Sequence, residues 1–148
     1  MTTKAIALLV AGAAAIGWSY SAAVAFQDTP RTVWDGVYTD AQAKRAASLY
    51  KDKCAKCHAD ELTGDAYSPP LTGPGFSAAW NDLSLNDLFD RIIKSMPDDD
   101  KGSLTRPQVA DLIAFLLQHG DMSAGKTALP TDAAVLKEIK YLGTKPAK

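Results

Sequence analysis

Cys54 and Cys57 stand two residues apart, His58 follows at once, and these are the only cysteines among 148 residues. Thiols at that spacing on one turn of backbone aim the same way, so each can add to one of the two vinyl groups of a single porphyrin. The imidazole directly after them is then held beneath the ring, where a neutral nitrogen can bind the iron. A bare C-x-x-C also serves redox dithiols and zinc sites. Zinc needs two more ligands, and beyond His58 the chain offers only His119 and scattered carboxylates at no recognisable spacing. A disulfide across a two-residue gap would close too small a loop to stabilise much. Cys54-Ala55-Lys56-Cys57-His58 therefore reads as the covalent attachment site of one haem c, with His58 as its first axial ligand.

The second axial ligand is sought among the methionines. Met1 belongs to the leader described below, which leaves Met96 and Met122. A lone methionine is usually core filling. Met96, however, ends an apolar stripe and precedes Pro97, which cannot continue a helix and restricts its predecessor to extended backbone. Sulfur opposite imidazole is an established haem pairing, so Met96 is expected as the sixth ligand. The stripe is Leu85, Leu88, Phe89, Ile92 and Ile93 on a helix capped by Ser84, with Asp87 favouring its N-terminus. Leu88, Phe89 and Ile92 are the expected haem wall.

Residues 58–76 read as a long Gly- and Pro-rich loop, functional by its length. The carbonyl of Pro69, or failing that Pro70, is expected to accept the other N–H of His58, fixing the ring and raising its basicity. Leu71 should pack on the porphyrin. Trp80 offers an indole N–H to a propionate, with plain packing as the rival role. Asp98-Asp99-Asp100-Lys101 reads as a solvated turn able to steer a basic partner; it lacks the spacing of a calcium loop.

Two further helices must position these groups. The first opens at Thr39, where Gln42 completes a capping box, and it carries Ala43, Ala46, Ala47, Tyr50 and Cys54 at helical spacing. The last opens at Thr105 with Gln108, tolerates Pro107 in its first turn, buries Val109, Leu112, Ile113 and Leu116 beside Phe115, and stops at Gly120. His119 in its last turn suits the helix dipole at the surface. Residues 26–38 are expected as an irregular strap whose Val33 and Trp34 cover apolar surface. Residues 121–130 read as linker. A short amphipathic helix from Thr131, with Val135, Leu136, Ile139 and Leu142, either packs on its own domain or docks a partner.

Residues 1–25 carry the marks of a secretory leader: Lys4, an apolar run from Ala5 to Trp18, and Ala23-Val24-Ala25 as a cleavage site. The run is shorter than the roughly 20 residues that span a bilayer, although an uncleaved anchor is the alternative. Export to the periplasm or beyond suits a covalently attached haem and thiols that would otherwise oxidise. The remaining length suits one domain. With 16 basic and 17 acidic side chains there is no basic stripe for nucleic acid, and no second apolar run suggests a membrane span after cleavage.

Residues 39–120 resemble a class I cytochrome c: a helix ending in the Cys54–His58 motif, Pro69-Pro70-Leu71 after it, Met96-Pro97, and a final amphipathic helix. Ala46 departs from the glycine common where first and last helices cross. The resemblance implies an all-α fold, three main helices plus a short C-terminal one around the haem, with Tyr50 and Phe115 near the crossing and no sheet. It also implies a one-electron carrier, not an enzyme, monomeric when free, passing electrons between redox proteins such as a dehydrogenase donor and a terminal oxidase or other acceptor. The flanks 33–39 and 125–132 are similar to segments around small cytochrome domains of bacterial quinoprotein alcohol dehydrogenases, which implies a role as subunit of such a complex. A haem enzyme or ligand sensor with an open sixth position is the rival from another class; there Met96 would only pack.

Overall fold

The computed structural model of the chain describes residues 31–147. The expected leader, 1–25, and the first residues of the strap lie outside the described residues. In chain order the elements are β1 (Arg31–Thr32), α1 (Asp40–Lys53), α2 (Ala55–His58), α3 (Gly73–Trp80), α4 (Leu85–Ser95), α5 (Arg106–His119), α6 (Ala133–Lys137) and β2 (Ile139–Lys140). The described chain is all-α in character, as the sequence predicts, with one minimal strand pair.

The crossing of α1 and α5 is the most extensive contact between elements. It forms because α1 turns small residues inward, Ala43 and Ala46 each 1% exposed, while α5 is apolar almost all round from Val109 to Leu117. Small side chains let two helices approach closely, and each large apolar side chain sealed there contributes about 1.5–3 kcal/mol. Tyr50 of α1 stacks on Phe115 of α5 with ring centroids 4.9 Å apart. Both helices start with the capping boxes expected of them, Thr39 with Gln42 and Thr105 with Gln108. Gln42 does more than cap. Its amide donates to the Leu129 carbonyl at 3.0 Å and accepts from the Leu129 N–H at 2.7 Å, pairing with that backbone as a strand would.

Three expectations need correction. The Gly- and Pro-rich stretch is not loop throughout, since α3 begins at Gly73. Thr72 enters extended, Pro74 sits in the first turn where its missing N–H costs nothing, and Phe76 and Trp80, one turn apart, turn toward each other with centroids 6.0 Å apart. The fold also has a sheet: β1 and β2 pair in parallel, Arg31 opposite Ile139 and Thr32 opposite Lys140. Consequently the C-terminal helix is shorter than expected. It starts at Ala133, not Thr131, capped by Asp132, whose side chain accepts from the N–H groups of Ala134 and Val135, and Ile139 lies in the strand.

The same segment settles its own packing. Leu136 and Ile139 are fully buried, Tyr141 is 3% exposed, and α6 packs on α4. The strap answers from the other end of the chain. The Trp34 indole N–H donates to the Leu142 carbonyl at 2.8 Å, and the Tyr38 hydroxyl to the Met122 carbonyl at 2.5 Å. The Gly125 N–H donates to the Tyr38 carbonyl at 2.7 Å, and a Cβ on Gly125 would fall 1.9 Å from the Gly36 carbonyl oxygen, so only glycine fits there. Strap and extension thus form one clasp behind the helices.

Candidate functional site

Cys54 ends α1, and its carbonyl accepts from the N–H groups of Cys57 at 3.1 Å and His58 at 2.9 Å. The three chemical residues therefore share one turn of backbone, α2 with Cys54 as its N-cap. It is delivered by α1, whose crossing with α5 is the most extensive contact between elements. Both thiols are free. Cys57 is exposed and Cys54 half-buried; burial, with Cys57 beside it, pushes the Cys54 thiol up to about 11.

His58 is 8% exposed, and its Nδ1 lies 2.8 Å from the Pro69 carbonyl oxygen. A carbonyl can only accept, so the proton sits on Nδ1 and the lone pair of Nε2 is left for another partner. That tautomer is the one an iron ligand needs. Of the two carbonyls considered from sequence, it is Pro69 that makes this contact.

The loop between them is built to hold that carbonyl in place. Gly64 donates its N–H to the His58 carbonyl at 3.0 Å, and Leu71 donates to Leu62 at 2.8 Å. Gly64 has φ +65°, and a Cβ there would stand 2.2 Å from the Ser68 oxygen and 2.8 Å from the Pro69 oxygen. Ala59 and Leu62, neither of them glycine, also adopt positive φ, 63° and 60°. The Tyr50 hydroxyl reaches over from α1 and donates to the Ala59 carbonyl at 2.7 Å, fastening the strained turn that follows His58. Burial, aided by Cys54 and nearby carboxylates, raises the Tyr50 hydroxyl to about 12, so it remains a donor. Gly64 and the Tyr50 hydroxyl were not among the expected site residues. The glycine's place between His58 and Pro69 was a signal, but nothing in the sequence told which backbone it would meet.

The remaining candidates divide by burial. Leu88 is 3% and Phe89 0% exposed, and the Arg106 guanidinium lies 4.6 Å from the Phe89 ring centroid. Both are enclosed by protein. Leu71, Trp80, Ile92 and Ile93 are only half-buried beside the core, and Met96 is half-buried too, so all keep surface that protein atoms leave uncovered. The Trp80 ring lies beside that of Phe76. Met96 is the C-cap of α4 with φ −123° and ψ 145°, the extended backbone that Pro97 imposes. Met122 is 4% exposed, committed to the clasp through its backbone carbonyl. His119 is at the surface, its Nδ1 2.9 Å from the Phe115 carbonyl and its ring 4.1 Å from that of Phe115.

Two free thiols and an Nε2-open imidazole on one turn of backbone, in a domain that leaves several apolar side chains partly uncovered, fit a covalently held haem. Among the described residues no three His, Cys, Asp or Glu side chains gather where they could hold a bare metal ion, and no helix is long and apolar enough to cross a membrane. The fold and this turn define a c-type cytochrome domain. Residues 41–116, just over half of the chain, match the family described as cytochrome c oxidase, cbb3-type, subunit III, and the chain belongs to that family. No curated protein and no solved structure matches it. The cofactor is one covalently bound haem c, and a domain of this kind carries electrons.

Proposed function

We propose that this protein is an exported one-electron carrier whose haem is joined to Cys54 and Cys57 and ligated by His58 and Met96. The observation that carries the reading is the 2.8 Å contact of His58 Nδ1 with the Pro69 carbonyl, because it fixes both tautomer and ring orientation. Haem bound here would supply a reversible one-electron couple. The chain's own work is to hold the imidazole from below, offer a thioether from the end of α4, and keep water away with the half-buried apolar side chains. A thioether and an apolar surround both disfavour the ferric state and raise the potential.

The visible spectrum of the exported protein and of its pyridine derivative tests attachment and ligation together. Met96→Ala is expected to lower the potential and admit exogenous ligands; Met122→Ala should destabilise without doing either. Periplasmic delivery rests on the leader-like residues 1–25 and is checked by the mass of the mature chain. The family's own description supports an oxidase as the electron acceptor, and partnership with a quinoprotein dehydrogenase rests on the flanks 33–39 and 125–132. Reduction of the purified protein by such a dehydrogenase, faster than by an unrelated donor, is the outcome expected.

A further inference from the structure

Two ion pairs join the cysteine-bearing turn to the segment after Met96. Lys53, beside Cys54, pairs with Asp100 at 3.0 Å, and Lys56, between the two cysteines, pairs with Asp99. Among the described residues, these are the polar ties that leave the turn 97–103. Its backbone bonds are local, Asp100 N–H to Pro97 and Ser103 N–H to Asp100, and so is the Lys101–Asp98 pair at 2.9 Å. Pro97 and Leu104 bury at its two ends, which leaves the acidic stretch between them held from outside only by lysines.

The placement matters because the lysines belong to the turn that carries the fifth ligand and the aspartates to the turn that follows Met96. Any movement that withdraws Met96 stretches both pairs at once. Each pair is exposed, weak alone and screened by salt. A thioether is itself a neutral, readily displaced ligand, so a modest bias decides how often it leaves.

We propose that Lys53, Lys56, Asp99 and Asp100 are positioning residues, forming an electrostatic latch that holds the Met96 turn against the haem-attachment turn and makes the accessibility of the sixth position depend on ionic strength. This rests on Met96 being the sixth ligand. The latch adds a property that ligation alone does not require.

The test is imidazole binding to the ferric holoprotein, followed through the far-red band of methionine-ligated iron, with the urea midpoint recorded in parallel. Asp99→Asn and Asp100→Asn leave the attachment motif untouched. Together they are expected to tighten apparent imidazole affinity by about threefold to tenfold, as raised salt should for the wild type. The swap K53D/D100K should return toward wild type where K53D alone does not. Lys94→Asp, which breaks the pair with Asp90 inside α4, should leave affinity unchanged. Affinity indifferent to salt and to the Asn variants overturns the latch. So does a swap that fails to rescue, or a fall in the urea midpoint large enough to account for the whole change. If the wild type lacks the methionine band and Met96→Ala binds imidazole no better, the ligand assignment has failed and the latch with it; a band lost only in Met96→Ala, with salt-independent affinity, condemns the latch alone.

Discussion

The segments that follow His58 and Met96 are both short, polar and rich in turn residues, yet they are fastened by different means. From His58 to Leu71 the ties are backbone bonds: Gly64 to His58, Asp65 to Ser68, Leu71 to Leu62, with the Tyr50 hydroxyl as a side-chain pin from α1. From Met96 to Leu104 the long-range polar ties are exposed lysine–aspartate pairs. Backbone bonds at fixed geometry hold direction, whereas exposed ion pairs hold distance loosely and yield to salt. On the proposed reading the imidazole is placed by architecture and the thioether by adjustable charge, which would suit a permanent ligand facing an exchangeable one.

Gly64→Ala attacks the architectural side and carries the largest expected effect. A Cβ at φ +65° costs about 1–2 kcal/mol by conformation alone, and the clash with the Ser68 and Pro69 backbone adds to it. The urea midpoint of the holoprotein should fall accordingly. The potential should rise, because an imidazole that loses the Pro69 acceptor is less basic and supports the ferric state less. An unchanged potential would mean that Pro69 does not tune the ligand.

Tyr50→Phe is the next smaller change. The ring keeps its place on Phe115 and the bond to Ala59 disappears, at a cost of about 1 kcal/mol. The wild type also carries an alkaline signature. The folded hydroxyl titrates near 12 against an ordinary 10, so its contribution is complete below 10 and is lost as pH rises toward 12. The phenylalanine variant should lose stability less steeply across that window, as urea midpoints at stepped pH would show.

Most of this was legible in the chain because it is local chemistry. Thiol spacing, the capping boxes at Thr39 and Thr105, the cap at Ser84, and the stripes on α4 and α5 follow from periodicity and side-chain type; that Asp87 closes the Ser84 cap into a full box is seen only in the structure. The acceptor for His58 was legible to within a residue, as Pro69 or Pro70, and the contact falls on Pro69. What could not be read depends on which distant backbone arrives where. Leu88 and Phe89 fall on the expected stripe, but that Arg106 lies over the Phe89 ring, and that Ile92 and Ile93 stay only partly buried, depends on the tertiary fold. The pairing of β1 with β2 joins two-residue strands from opposite ends of the chain, too short to leave any alternation. Glycine and proline before Phe76 signal a turn equally well when they begin a helix.

Acid titration separates the two kinds of fastening at the smallest scale. On the imidazole side, Asp65 accepts from the N–H groups of Tyr67 at 2.8 Å and Ser68 at 2.7 Å, and these bonds hold its carboxyl below the usual range. On the thioether side, Asp99 and Asp100 are lowered chiefly by their hydrogen bonds with Lys56 and Lys53. All three contributions are complete above the ordinary carboxylate range and are lost as pH falls through the depressed values. All three groups are exposed, so the effects are slight. Salt distinguishes them, since it screens the pull of a lysine and scarcely touches a carboxylate in contact with backbone N–H dipoles. Added salt should therefore flatten the part of the acid slope that Asp99→Asn and Asp100→Asn remove, and leave the part that Asp65→Asn removes. Should salt erase the whole slope, the turn after His58 would be held by charge as much as its counterpart, and the proposed asymmetry between a fixed ligand and a releasable one would disappear.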